Sequence, residues 1–82
     1  MNNSFAKWLD TFISEKGIDL NHTLTAEGPS GTNWIPVAVL VEMMKNTSPQ
    51  EQAGIKSMIV RIDFHAGDVL HYFSHLAKAV AA

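Results

Sequence analysis

The strongest pattern in the chain is an apolar stripe near its start. Large apolar residues recur there at intervals of three and four: Phe5, Trp8, Leu9, Phe12 and Ile13. This spacing brings them to one face of an α-helix, so it predicts a helix over residues 4–16. Gly17 follows and supplies the left-handed backbone conformation that commonly ends a helix.

Two further helices are predicted in the second half of the chain. Ser48-Pro49-Gln50-Glu51 has the order of a capping box with proline at the first helical position, which predicts a helix over residues 49–65. After Ala66-Gly67, an apolar stripe beginning at Val69 predicts a last helix over residues 69–81. The connections are short, so consecutive helices are expected to pack as antiparallel neighbours.

Residues 34–45 are the most apolar segment and are also predicted to be helical. Pro36 suits a first helical turn, because the missing N–H of proline is no loss there. The segment is apolar nearly all round, and its β-branched residues make a strand at 37–41 the competing interpretation. Glu42 and Lys45 at its far end favour the helix. A helix without a polar face lies centrally, or it faces both a core and a partner.

Residues 18–27 show a different pattern, in which apolar and polar residues alternate as they do in a strand. The run Gly28-Pro29-Ser30-Gly31 then interrupts any regular structure. No second strand is evident, so the segment is expected to be an extended connection, or a strand that pairs with the same strand of another copy. The predicted fold is therefore all-α, a single domain over residues 1–82 with four helices.

Composition narrows the classes of function. The chain has 82 residues, a net charge of -2, 17% charged residues and no cysteine. It therefore has no disulfide framework or thiolate zinc site, and its charge gives no case for nucleic acid or anionic membrane as a partner. No apolar run reaches the ~18 residues of a membrane span, and the first residues do not resemble a signal peptide, so a cytoplasmic location is expected. Few charges on a small domain favour a homo-oligomer.

The leading hypothesis is a non-enzymatic protein–protein interaction module that self-associates, and the small size, low charge and lack of a catalytic signature suit an accessory protein of a phage or mobile element. Another protein is the second possible partner. The candidate contact residues lie in and beside the apolar second helix: Trp34, Val37, Leu40, Val41, Met43 and Met44. No nucleophile motif is present, and a chain this short is not expected to enclose a pocket of ~300 Å³, so no enzyme activity is predicted.

Two alternatives stay open. His71 and His75 are four residues apart on the last predicted helix, with Asp68 just upstream, so these three side chains could hold zinc or respond to pH. The Gly-containing connection between the last two helices also permits a helix-turn-helix regulator, although its second helix has few side chains that could read bases.

Overall fold

A computed structural model describes residues 4–82 of the chain. In this part of the chain, four helices and a two-stranded antiparallel sheet follow one another in the order α1, β1, β2, α2, α3, α4. Their bounds are α1 Ser4–Lys16, β1 Thr23–Gly28, β2 Gly31–Pro36, α2 Val37–Lys45, α3 Pro49–His65 and α4 Val69–Ala81. None of the helices in residues 4–82 is both long and apolar enough to cross a lipid bilayer.

The prediction of an all-α fold is wrong, because the chain contains a β-hairpin and is a helix-dominated mixed α/β structure. The alternating segment begins its strand at Thr23 and pairs with a second strand of the same chain, from Thr23 opposite Pro36 to Gly28 opposite Gly31. Gly28-Pro29-Ser30-Gly31, expected to be only a break, is the hairpin turn. Gly31 has a φ of 110°, a conformation that glycine adopts without strain.

The sequence does not predict the second strand, because the polarity of its residues does not match their burial. Trp34 lies on the outer face of the hairpin, opposite Thr25, while the polar Asn33 lies on the inner face, opposite Ala26. Ile35 is the buried residue of β2. A half-buried strand is recognised by apolar residues on its inner face, and here that signal rests on a single side chain.

The predicted helix over 34–45 consequently begins three residues later. Trp34 and Ile35 belong to β2, and Pro36 is the N-cap residue of α2 with extended backbone. The first N–H groups of a helix have no partner within it. In α2 they are held by the segment before β1: Val37 N–H donates to the His22 carbonyl at 2.8 Å, and Ala38 N–H donates to the Leu20 carbonyl at 3.0 Å.

The observed bounds of α1, α3 and α4 coincide with the predicted ranges. The capping box is confirmed: Ser48 Oγ accepts from Glu51 N–H at 3.2 Å, and the Glu51 carboxylate accepts from Ser48 N–H at 3.4 Å. Gly17 ends α1 with a φ of 67°, and Ile18 N–H donates to the Ile13 carbonyl at 3.1 Å, as in a Schellman motif.

The core lies between the inner face of the hairpin and the helices, and α4 packs along β1. Phe73 of α4, Leu9 of α1, Leu40 of α2 and Ile59 of α3 are fully buried, so every helix contributes to the same apolar cluster. Outside this cluster, Lys45 Nζ bonds Asp10 Oδ1 at 2.7 Å and joins α2 to α1. This bond is the main reason why the pKa of Lys45 is raised.

Candidate interaction site

The six contact residues predicted from the sequence separate into two groups in the structure. Four are buried in the core of the chain: Val37, Leu40, Val41 and Met44. Trp34 and Met43 are exposed, with 71% and 46% of their surfaces accessible. A partner could therefore touch only Trp34 and Met43 directly without rearrangement of the fold.

Trp34 and Met43 lie in different settings. Trp34 stands on the outer face of the hairpin, beside exposed threonines of β1. Met43 lines a groove between α2, α3 and α4 and also the shallow concavity beside it. The concave surface at Met43 is therefore the stronger candidate for an interaction site.

The groove has a volume of about 470 Å³ and is open to solvent. This exceeds the volume expected for so short a chain and lies in the range of ~300–1000 Å³ found for ligand sites. Its walls come from three helices and are mostly apolar. The exposed large apolar side chains of the lining are Met43 and Met58, and Ile55, Tyr72 and Leu76 are half-buried.

The short connection between α2 and α3 borders the groove at Thr47. Gln52 Nε2 donates to the carbonyls of Lys45 and Thr47, both at 3.1 Å, so the first turn of α3 is tied to the last turn of α2. Further along α3, Gly54 lines the groove without a side chain to fill it. The end of α2 and the start of α3 are thus held together, and an apolar space remains beside them.

The polar side chains of the groove serve local structure. Thr47 Oγ1 donates to the Met44 carbonyl at 2.6 Å, and Glu51 is held by Ser48 in the capping box. Tyr72 is the third polar residue in the lining, and burial raises the pKa of its hydroxyl. Such groups are better suited to a binding surface than to proton transfer near neutral pH.

The shallow concavity next to the groove extends the apolar surface over α2. Val39 and Met43 are its large apolar residues, and Ala38, Glu42 and Asn46 complete it. Because Met43 belongs to both concavities, the two form one continuous surface. Carboxylates stand at two places on it, Glu42 on α2 and Glu51 on α3.

In the sequence, Ile55 and Met58 recur at helical spacing along α3, and Tyr72 and Leu76 do so along α4, which is typical of core residues. All four line the groove instead of filling the centre of the core. Helical periodicity correctly indicates that Ile55, Tyr72 and Leu76 pack against the core, whereas Met58 is exposed. It does not indicate how far apart two inward faces lie, so no sequence signal distinguishes a groove wall from a packed interior.

The candidate metal residues come together only in part. His71 and His75 are exposed on α4, with their Nε2 atoms 3.3 Å apart and their rings edge to face. Asp68 is the N-cap residue of α4, and its side chain makes no cap hydrogen bond. Within residues 4–82, no group of three or more His, Asp or Glu side chains is arranged to hold a metal ion.

The family models, curated proteins and solved structures compared with this chain provide no match. Its function is therefore inferred from the residues and geometry described above.

Proposed function

We propose that this chain is a non-enzymatic interaction module whose groove receives the apolar anchors of an amphipathic helix from another protein. The observation that carries the proposal is the apolar groove between α2, α3 and α4, which the fold leaves open. Apolar grooves between helices are a common mode of peptide recognition, in which anchors spaced along one helix face enter the groove.

The exposed methionines support a protein partner. Methionine is unbranched and polarisable, so it adapts to partners of different shape and is used heavily at binding surfaces. Met43 and Met58 stand on α2 and α3, on opposite sides of the groove. Both side chains can therefore move over an inserted anchor and enclose it.

The charges on the surface favour a basic partner. Glu51 lines the groove and Glu42 lines the adjoining concavity. Lys45 Nζ lies 3.7 Å from Glu42 but is bound more closely by Asp10, at 2.7 Å. Lysine or arginine residues beside the apolar anchors of a partner would meet these carboxylates, which favours the correct orientation and a faster encounter.

A display experiment tests this proposal. Helical peptides with randomised faces are selected against the whole chain and, in parallel, against Met58→Glu, which places a charge at the groove. We expect the wild-type chain to enrich peptides with apolar residues at i and i+4 and flanking Lys or Arg, and Met58→Glu to enrich none of them. Val80→Glu, on exposed surface of α4 outside the groove, is the matched control and should select the same peptides as the wild type.

Methyl NMR then locates the bound peptide. Chains carrying 13C-methyl methionine should show saturable shifts of the Met43 and Met58 signals when a selected peptide is added. Selection of the same peptides by Met58→Glu, or shifts confined to other parts of the chain, would contradict the proposal. Methyl shifts produced only by small apolar compounds would show a ligand pocket in place of a protein-binding groove and would also overturn it.

A second candidate function is binding of a divalent metal ion by His71 and His75. The separation of 3.3 Å between their Nε2 atoms would let both imidazoles reach one ion, each at about 2.0–2.1 Å for zinc. Zn²⁺ should then raise the melting temperature, and His71→Ala with His75→Ala should abolish the rise. His22→Ala is the control that should keep it, and an equal rise in the double variant would exclude the pair.

A further inference from the structure

One face of α3 is directed away from the rest of the chain and carries four residues at a 4-3-4 spacing. We call these residues, Ala53, Ser57, Val60 and Phe64, the outer stripe of α3. All four are exposed, and Phe64 and Val60 leave 83% and 48% of their surfaces accessible. The spacing is that of the a and d positions of a coiled-coil seam, which pack against another helix.

Within residues 4–82, none of the four residues of this stripe is buried, and the Phe64 ring meets the ring of its neighbour His65 edge to face, with 5.1 Å between the centroids. Ile59 is the buried residue of α3 and points towards the core. Lys56 and Asp63 lie between the core side and the outer stripe, and both are directed to α1. Lys56 Nζ stands 5.2 Å from the Trp8 ring centroid, and Asp63 Oδ2 is 2.9 Å from Lys16 Nζ.

From the order of residue sizes along the stripe, we infer that α3 pairs with α3 of a second copy in antiparallel orientation. The small residues, Ala53 and Ser57, occupy its N-terminal half, and the large ones, Val60 and Phe64, occupy its C-terminal half. Antiparallel pairing about a twofold axis near residues 58 and 59 sets Phe64 against Ala53 of the second copy. It also sets Val60 against Ser57 of the second copy, so each of the four layers combines one large and one small side chain.

Parallel pairing of the same stripe would pack poorly. Phe64 would meet Phe64 of the second copy at one end, and Ala53 would meet Ala53 at the other, which combines crowding with a void. Both overpacking and cavities cost stability in close-packed interfaces. A self-complementary surface in which residue i meets j, and j meets i, is the property of a twofold interface.

The charges beside the stripe favour the same orientation. In the antiparallel pair, Lys56 can turn from Trp8 to Asp63 of the second copy, beside the Lys16 ammonium that Asp63 contacts at 2.9 Å, and the symmetry produces this contact twice. In the parallel pair, Lys56 would instead face Arg61 of the second copy. Charges at these flanking positions select orientation in helix pairs, since like charges in register are repelled.

The interface is small, which sets the expected strength of the dimer. Eleven steps from residue 53 to residue 64 span only about 16 Å of helix. Stable complexes usually bury about 800 Å² on each partner, and a seam of this length supplies less. We therefore expect a weak dimer that dissociates in the range of about 10–100 μM.

Exchange of the two end residues tests the pairing. By sedimentation equilibrium, Phe64→Ala should weaken the dimer at least tenfold because it removes the large side chain from two layers. Ala53→Phe should weaken it to a similar extent because it sets two phenylalanines in the same layer. The double variant restores one phenylalanine and one alanine in each end layer, so its dissociation constant should return to within about threefold of wild type.

Cysteine cross-linking tests the orientation independently, since the chain has no native cysteine. Residue 53 and its copy would lie about 16 Å apart along an antiparallel pair, too far for a disulfide, which needs a Cα separation below about 7 Å. A mixture of Ala53→Cys and Phe64→Cys chains should therefore form a mixed disulfide dimer under mild oxidation. Ala53→Cys alone should form none.

Three results would overturn the inference: a monomer at 500 μM, a dimer unaffected by Phe64→Ala, or ready cross-linking of Ala53→Cys with itself. Circular dichroism and melting temperature show that each variant still folds, which is expected because these side chains are exposed. The inference does not rest on the groove. Met58→Glu should lose the selected peptides and retain the dimer, so failure of one proposal is distinguishable from failure of the other.

Discussion

Helices α2 and α3 show that the apolar content of a segment does not predict how much apolar surface it exposes. In α2, nine residues long, Val37, Leu40, Val41 and Met44 are buried. In α3, seventeen residues long, Ile59 is the buried residue, and Phe64 is the most exposed large apolar side chain described. The more apolar helix is the better covered one, although Val39 and Met43 remain exposed on it. The most exposed apolar side chain, Phe64, lies on the helix whose sequence looks ordinary.

The difference arises from what surrounds each helix. The start of α2 is fixed by backbone hydrogen bonds to the segment before β1, and α2 contacts β2 and the three other helices. By contrast, α3 meets the other helices along one side only, next to an open groove. Neighbouring elements therefore decide whether an apolar residue becomes core or surface.

The largest expected effect on stability comes from truncating Leu40 of α2. Truncation of Phe64 in α3 is the matched comparison. Leu40→Ala should lower the free energy of unfolding by about 2–5 kcal/mol, because it leaves a cavity in the core. Phe64→Ala should change it by less than about 0.5 kcal/mol, because the ring is exposed. Urea unfolding at low micromolar concentration measures both in the monomer. Similar losses in the two variants would contradict the contrast between the helices.

Replacement of Gly28 by alanine should lower stability, whereas replacement of Gly54 by alanine should raise it. A Cβ on Gly28 would collide with the carbonyl oxygen of Ala81, where the end of α4 covers the hairpin, and the repacking should cost about 1–3 kcal/mol. Gly54 has open space around its Cβ position and lies inside α3, so Gly54→Ala should stabilise the chain by up to about 1 kcal/mol. Thermal unfolding checks both signs, and a stabilising Gly28→Ala would disprove the close packing of α4 on the turn.

The capping box gives a smaller effect at the start of α3. Ser48→Ala removes the acceptor for Glu51 N–H and should cost about 1 kcal/mol. Ser57→Ala, on the outer stripe of α3, is the matched control and should stay within about 0.5 kcal/mol of wild type. Equal melting temperatures for the two variants would show that the start of α3 contributes little to stability.

The smallest effect concerns alkaline pH. Burial raises the pKa of Tyr72, so above about pH 10 the unfolded chain loses its phenolic proton before the folded chain does. The contact with Asp10 raises the pKa of Lys45, so the stability it contributes is complete at lower pH and is lost as pH rises through the folded-state pKa. Both linkages lower stability as pH rises.

Tyr72→Phe removes the first linkage and leaves the second. Chemical unfolding at pH 9, 10 and 11 should show a shallower decline in stability for this variant than for the wild type. Parallel declines would mean that Tyr72 is not buried enough at the groove to change its titration.

Much of the helical structure could be predicted from the chain, because its signals are local. Apolar stripes, the Ser48 capping box and Gly17 each act within one or two turns, and α1, α3 and α4 occur where these signals place them. The β-hairpin could not, since β2 carries Trp34 on its outer face and Asn33 on its inner face. The hairpin also depends on the packing of β1 against α4, which is a contact between distant parts of the sequence.

The candidate site was predictable only in part. Met43 was identified from its place in an apolar run, and it lines the groove. Leu40 and Met44 also border the groove, but as buried residues of the core. The pairing of His71 with His75 follows from their spacing of one helical turn, whereas the placement of Met58 and Leu76 across from α2 required the packing of three helices.

The sequence by itself determined where the helices at 4–16, 49–65 and 69–81 begin and end, because caps and stripes act over short distances. It also contains no cysteine and few charged residues. Tertiary structure alone decided that residues 34–36 complete a hairpin, that four apolar residues of α2 are buried, and that apolar surface remains on α3 and in the groove. Burial depends on which elements meet, and that is a property of the whole folded chain.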